Sequence, residues 1–416
     1  MTCEGLALSA VAQQFGTPTF VYAERAIAAA YQEFAHAASE HGALVCYALK
    51  ANSNLAIIRL LAGLGAGFDI VSLGELSRVL AAGGDAKKAV FSGVGKSEAE
   101  IQAALLAQVK CINVESIAEL EVISRVATRL GVEAPISLRV NPDIDPKTHP
   151  YISTGLKENK FGISMQEAVA AYQAASRLPG LAISGIDCHI GSQITTLQPF
   201  LDSLERVLAL ADELAIMGIH LKHLDLGGGL GITYDQETPP TPTALLQTLL
   251  ARVAAWADQR GSARPEVLFE FGRAIVGNAG VLLSRVEILK PGQVKNFAVV
   301  DAAMNDLMRP ALYDAWHGVE LVTPATAAPR TWDLVGPVCE SGDWLAKDRL
   351  LGLSQGDVVA FLSAGAYGMS MSSNYNSRGR AAEVLIDQQG VPHLIRRRES
   401  FQDLIATEQI PAHLYP

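Results

Sequence analysis

Short runs that are apolar at nearly every position recur along residues 43–280, each followed by a turn and then a stretch of helical periodicity. The runs fall at 43–49, 67–71, 89–92, 111–114, 136–140, 183–189, 223–226 and 267–270. Apolar positions on both faces of a short run are what parallel strands buried between layers require. Between them, Leu201, Leu204, Leu208, Ala211 and Leu214 mark one face of a helix. Four serines followed three residues later by glutamate (Ser72/Glu75, Ser97/Glu100, Ser116/Glu119 and Ser164/Glu167) read as capping boxes opening helices. Eight strands alternating with helices predict an α/β fold, a (β/α)8 TIM-like barrel. The alternative is an open, doubly wound sheet. The strand count and the lack of a GxGxxG after the first run count against it.

Beyond residue 280 the pattern changes. Strand-like runs at 281–289, 297–300, 332–335, 358–362 and 383–386 are separated by Gly, Pro and Asp, and long helical stretches are scarce. This predicts an all-β C-terminal domain. A further short strand at 19–22 lies outside the eight and is assigned to the same domain. The expected division is therefore a barrel over 30–280 and a β domain built from 1–29 plus 281–416. Residues 238–243, rich in Pro and Thr, read as a surface loop.

Composition narrows the class. With 416 residues, 49% hydrophobic and 18% charged, the chain is globular and long enough for two domains. A net charge of -10 argues against nucleic acid or an anionic membrane as the main partner. The five cysteines (Cys3, Cys46, Cys111, Cys188 and Cys339) are odd in number, widely spaced and without a CxxC, which points neither to a disulfide framework nor to a metal site. Reduced thiols, no basic-then-apolar leader and no bilayer-length apolar run together give the expectation of a cytoplasmic protein.

Barrel chemistry collects at the C-terminal ends of the strands. Lys50 closes the first run. A desolvated lysine there would favour the neutral amine that forms a Schiff base, while a lysine snorkelling at the rim is the bland alternative. The seventh run enters Gly227-Gly228-Gly229, whose bare backbone can approach an anion or simply turn. The eighth ends in Glu270-Phe271-Gly272-Arg273. Glu270 suits a protonated ring nitrogen and Arg273 a carboxylate or phosphate, unless the two form a structural ion pair. His189 and Ser192 follow the sixth run, where a histidine can stack on a flat ring or merely fill the core. In the second domain, Cys339 beside Glu340 and Asp343 can exchange a proton, unless it is a buried small hydrophobe. An aldehyde-binding lysine, a phosphate cradle, a ring-nitrogen partner, a ring-stacking histidine and a proton donor form the set a pyridoxal-phosphate enzyme needs.

At that point the chain resembles the diaminopimelate decarboxylases, pyridoxal-phosphate enzymes of the group built like alanine racemase. The likeness runs roughly from Gly16 to Ser400. It rests on YALKAN (47–52), HIGSQI (189–194), DLGGGLGI (225–232), EFGRAIVGNAG (270–280), RPALYDAWH (309–317), GPVCESGDWL (336–345) and GAYGMSMSSNYN (365–376). The resemblance implies decarboxylation of meso-diaminopimelate to L-lysine by a homodimer whose sites are shared across the interface. It implies Lys50 as the Schiff-base lysine, His189 stacked on the ring, and phosphate contacts from Ser192, Gly227, Gly228 and Gly229 with backbone from Gly272 and Arg273. It implies Glu270 at the ring nitrogen and Arg273, Arg309 and Tyr313 on the substrate. Cys339 is implied as proton donor and Glu340 as a substrate ligand, both from the partner subunit, and Tyr367 as a contact to cofactor and substrate alike.

Two positions depart from the family's EPGRS: Phe271 stands for Pro and Ala274 for Ser, for which a shifted backbone or altered rate without loss of function is expected. Arginines beside an acid suit a substrate tail carrying both charges, whereas ornithine or arginine, with cationic tails, would call for acids alone. An ornithine- or arginine-type decarboxylase, a Schiff-base aldolase without the cofactor, and a non-catalytic regulatory relative are the competing readings. The roles of Arg139, His149 and Lys160 stay open, and a loop over the site is the expectation for that stretch.

Overall fold

The computed structural model describes residues 1–145 and 159–414. The chain forms two compact units, one from Ala28–Ile275 and the other from Met1–Ile27 together with Val276–Pro416.

Among the described residues, eight parallel strands of the first unit make a barrel: β1 (Leu44–Ala48), β2 (Gly67–Ile70), β3 (Ala89–Phe91), β4 (Cys111–Val114), β5 (Ala134–Asn141), β6 (Leu181–Asp187), β7 (His223–Asp225) and β8 (Glu266–Phe271), with the two-residue strand Ile163–Ser164 added parallel to the end of β5. Each pairs with its sequence neighbour, β8 pairs with β1 and β5 with β6, so the sheet closes into the expected barrel. Closure leaves no exposed edge and buries both faces of every strand, which is why the runs are apolar at most positions. Cys46, Val90, Cys111 and Leu268 form one cluster of this interior. The serines predicted as caps all cap: their hydroxyls accept from the backbone N–H of Glu75, Glu100, Glu119 and Glu167. The reciprocal arm, glutamate to the cap's own N–H, forms at Ser97. Glu75 and Glu119 instead reach one residue further back, accepting from the N–H of Val71 and Glu115 at 2.7 Å each. The stretch expected as a loop at 238–243 ends inside a helix, Pro242–Arg260, because Thr241 caps it and Pro242 takes the first turn.

In the second unit the N-terminal strand Thr19–Ala23 lies between Gly280–Lys290, antiparallel, and Ala382–Ile386, parallel. The sheet continues through Phe297–Val300, Arg330–Val335 and Trp344–Leu351 on one side and Pro392–Arg396 on the other. Val358–Phe361 pairs with both Gly280–Lys290 and Val319–Leu321. Val21, Leu283, Ala360 and Val384 meet the helix Leu8–Phe15 in its core. That helix, with Arg309–Tyr313 and Phe401–Ile405, makes the unit β-rich rather than all-β.

Candidate active site

Lys50 sits in a single helical turn (Leu49–Ala51) that follows β1 directly. Its Nζ lies 2.5 Å from Asp69 Oδ2 on β2, with the lysine side chain 37% exposed and the aspartate fully buried. The lysine is thus ion-paired at the barrel rim.

Acids recur at the same level. β6 ends on Asp187, β7 on Asp225, and Glu270 is the penultimate residue of β8. Oxygens of Asp187, Asp225 and Glu270 lie within 4.8 Å of one another, all buried. Burial pushes all three carboxyls up. Repulsion from Asp225 adds to it for Asp187 and Glu270, which stand well above the ordinary range, while Asp225 is raised by burial, against the lowering bond from Gly227 N, from 3.8 to about 7, with repulsion from Asp69 adding to the rise. Oδ1 of Asp69, Oδ1 of Asp187 and Oδ2 of Asp225 have no hydrogen-bond partner. Arg139, beside Asp187, lies within β5 itself and not in the polar stretch after it. Its guanidinium donates to Glu115 Oε1 at 2.9 Å and stands 3.9 Å from Asp187. Glu115 Oε2 in turn accepts from Gly162 N at 2.7 Å, and Lys160 lies over the Phe161 ring, 5.2 Å from its centroid. His149 and the stretch read as a covering loop fall largely outside the described residues.

The three glycines after β7 thread between the ends of β6 and β8. A Cβ on Gly228 would stand 1.8 Å from the Glu270 carbonyl oxygen, and one on Gly229 2.2 Å from that of Gly191. No side chain fits, and Gly229 also has φ +103. Gly227 N donates to Asp225 Oδ1 at 3.0 Å and Gly228 N to His189 Nδ1 at 3.1 Å. Two of the N–H groups expected to face an anion therefore fix the site's own acid and histidine. The bond to Nδ1 leaves the ring proton of a neutral His189 on Nε2. Desolvation, with Arg139 and Lys50 near, holds His189 well below its ordinary pKa, so it is neutral at pH 7. Arg273 is buried and donates to Ser192 Oγ at 3.0 Å and to Tyr234 Oη at 2.6 Å. Gly272 packs against Ala48 and Ala51 beside Lys50. Phe271, one of the two departures, is buried between Phe34 and Phe269, its ring 4.2 Å from that of Phe34.

In the β-rich unit, Arg309 opens the short helix that ends at Tyr313. Its guanidinium meets His317 Nε2 at 3.0 Å, while His317 Nδ1 is 2.8 Å from the Leu362 carbonyl. A carbonyl only accepts, so Nδ1 carries the proton and Nε2 takes the arginine's. Asp343 ties two loops together: its oxygens accept from Met304 N at 2.6 Å and Val338 N at 2.7 Å. Cys339 and Glu340 follow Val338 and are exposed, which removes the reading of Cys339 as a core hydrophobe. Tyr367 is partly exposed and holds φ +57, a strained value for a tyrosine.

Sequence reasoning did not assign Asp69, Asp187, Asp225, Arg139 or His317. Their signal was present for the acids: an apolar run that closes on Asp places a carboxylate where barrel chemistry sits. For Asp225, whose pKa is raised from 3.8 to about 7, the folded state holds a proton that the unfolded chain has lost. Its contribution to stability is complete below about pH 4 and is lost as pH rises through about 7. Calorimetry of protein prepared without cofactor should show the wild-type midpoint falling across that window and Asp225→Asn falling less. Parallel curves would overturn the assignment.

Residues 24–277 match the family model described as "Pyridoxal-dependent decarboxylase, pyridoxal binding domain". The diaminopimelate decarboxylase of Pseudomonas aeruginosa is 58% identical over 98% of this chain and 96% of its own length. That of Neisseria meningitidis serogroup A is 56% identical over 98% of each. Among solved structures, the diaminopimelate decarboxylase of Helicobacter pylori complexed with L-lysine superposes with a TM-score of 0.91 at 41% identity, covering 96% of this chain and 99% of that one. The enzyme of M. jannaschii in co-complex with L-lysine gives 0.93 at 39%, covering 99% and 96%.

Proposed function

The chain belongs to the diaminopimelate decarboxylases, a pyridoxal-dependent family, and from that membership we propose that it removes one carboxyl group from meso-diaminopimelate, giving L-lysine and CO2. The observation that carries the reading is near-full-length identity to enzymes of that name. The barrel's chemistry suits the cofactor. Buried carboxyl oxygens on Asp69, Asp187 and Asp225 have no hydrogen-bond partner, and a protonated ring nitrogen brings a donor into that acceptor-rich setting. The glycine run lets other groups come close where a Cβ would collide.

When bound, pyridoxal phosphate supplies an electron-poor ring that takes up the electron pair left by departing CO2. The protein's residues do the rest. Lys50 would offer the amine that holds the cofactor, with Asp69 pairing that amine. Glu270 would hold a proton for the ring nitrogen. His189, neutral, would contact the ring without adding charge. Ser192, Gly227, Gly228, Gly229, Gly272 and Arg273 serve the phosphate end. Cys339 delivers the proton to the carbon that lost the carboxyl. Arg273 and Arg309 bind the distal carboxylate, Glu340 the distal ammonium, and Tyr313 and Tyr367 line the substrate. We assign Cys339 and Glu340 to the neighbouring subunit's site in a homodimer, and the protein to the cytoplasm; the exposure of both residues supports the sharing. The 30–280 barrel and the 1–29 plus 281–416 β domain are the functional division we propose.

The test is CO2 release from the cofactor-loaded protein given, separately, meso-diaminopimelate, L-ornithine, L-arginine and L-lysine, with products identified. Lysine formed from diaminopimelate alone is expected. Release from ornithine or arginine would overturn the roles of Arg309 and Glu340, and release from none would sink the reading.

A further inference from the structure

Arg309 is buried, and a buried guanidinium has to be met by acceptors on the protein. The acceptor that its Nη1 meets is an imidazole, His317 Nε2 at 3.0 Å, eight residues further along the chain. The chain turns back to make this contact: Asp314, at φ +49, ends the short helix that Arg309 opens. Three bonds then fix His317, which is itself fully buried. Its Nδ1 donates to the Leu362 carbonyl at 2.8 Å, Leu362 N donates to the Gly318 carbonyl at 2.8 Å, and Arg349 Nη2 donates to the His317 carbonyl at 3.0 Å. The nature of the acceptor matters as much as its place. Leu362 O takes the Nδ1 proton and Arg309 supplies the proton at Nε2, so the ring is neutral. A carboxylate in that position would hold Arg309 but offset its charge. A neutral, rigid ring fixes the guanidinium and leaves its charge for a bound anion.

We propose that His317 is a positioning residue for substrate selection: its Nε2 orients the Arg309 guanidinium toward the carboxylate at the distal end of the substrate. This deepens the decarboxylase reading above, in which Arg309 binds that carboxylate, and rests on it. Pre-orientation lowers the cost of binding without touching the reacting carbon, so the effect falls on KM and not on kcat. The reaction removes one carboxyl and leaves L-lysine with the distal one, so the product depends on His317 as the substrate does. Cadaverine, with two amines and no carboxylate, does not.

The experiment compares cofactor-loaded wild type, His317→Asn and His317→Gln. The short amide of Asn has a nitrogen where Nδ1 stands and can donate to Leu362 O, but it falls short of Arg309. The longer amide of Gln brings an oxygen to where Nε2 stands. His317→Asn should raise KM for meso-diaminopimelate about ten-fold, the loss of one hydrogen bond to a charged group, with kcat nearly unchanged. The inhibition constant of L-lysine should rise by about the same factor and that of cadaverine should not move. His317→Gln should recover most of the loss. A histidine that only filled the core would weaken both inhibitors alike and gain nothing from Gln over Asn. A second readout does not depend on turnover or on His317→Asn folding. In histidine-selective nitrogen NMR, the signals absent from His317→Gln should show a neutral ring protonated on Nδ1 in wild type, and their Nε2 line should shift in Arg309→Met. An unchanged KM in His317→Asn, an equal weakening of cadaverine, a ring protonated on Nε2, or an Nε2 line indifferent to Arg309→Met would each overturn the proposal. If wild type releases no CO2 from diaminopimelate, the decarboxylase reading fails, while the NMR still decides whether His317 holds Arg309.

Discussion

Replacing Lys50 by alanine should abolish turnover, with kcat lower by on the order of 10^4-fold or more, the scale on which loss of a covalent catalytic group acts. Borohydride reduction of the wild type should fix the cofactor covalently and raise the mass by one pyridoxyl phosphate; Lys50→Ala should show no such adduct. The protein should remain folded, because the side chain stands at the rim and is 37% exposed. It should nonetheless lose some stability, since Asp69 is left buried with its negative charge unpaired. Lys50→Arg separates the two roles. It keeps a cation for Asp69 and restores the thermal midpoint, but offers no amine that can bond the aldehyde, so turnover stays lost. Retained activity in either variant, or an adduct in Lys50→Ala, would remove Lys50 from the chemistry.

The barrel was legible because closure leaves a crude and repeated trace: every strand is buried on both faces, so each run is apolar at most positions, and each serine cap marks where a helix resumes. The β-rich unit was legible only in part. Trp344–Leu351 escaped because Lys347, Asp348 and Arg349 interrupt its apolar run, and Asp348, at φ +55, kinks the strand so that the alternation breaks. The helix Leu8–Phe15 was missed because eight residues are too few for periodicity to stand out. In the candidate site, Lys50 and Glu270 were legible because they close apolar runs, and Arg273 because it follows one within three residues. Arg139 and His317 did not, since a lone arginine inside a strand or a histidine after a short helix has no local pattern; their meaning lies in partners brought from β4, β6 or the Val358–Phe361 strand. The purpose of the glycine run was also only half visible. Close approach was readable, whereas the use of Gly227 and Gly228 to fix Asp225 and His189 depends on how β6 and β7 lie side by side.

The second large effect is expected at Glu270. Its carboxyl is held well above the ordinary range by burial and then by Asp225, Asp69 and Asp187, which favours its protonated form. A carboxyl poised in this way can lend its proton to a basic ring nitrogen and keep the resulting cation paired, and the surrounding acids favour positive charge at that point. Glu270→Gln keeps the shape and the hydrogen-bonding reach but has no proton to lend. It should lower kcat by about 10^2- to 10^3-fold, as removal of a preorganised electrostatic partner does, with KM for the substrate little changed because the groups assigned to its distal end are untouched. The loss should be smaller than for Lys50→Ala. Asp187 and Asp225 remain within the same 4.8 Å cluster and keep part of its polar surroundings. Removing that remainder as well, in Glu270→Gln with Asp225→Asn, should lower kcat further, and the combined loss should differ from the product of the single losses, because groups in contact are not additive. A Glu270→Gln enzyme with wild-type kcat would mean that the acid cluster serves folding and not the ring nitrogen. In that case the pH-dependent stability expected of Asp225 would persist while the catalytic role assigned to Glu270 would not.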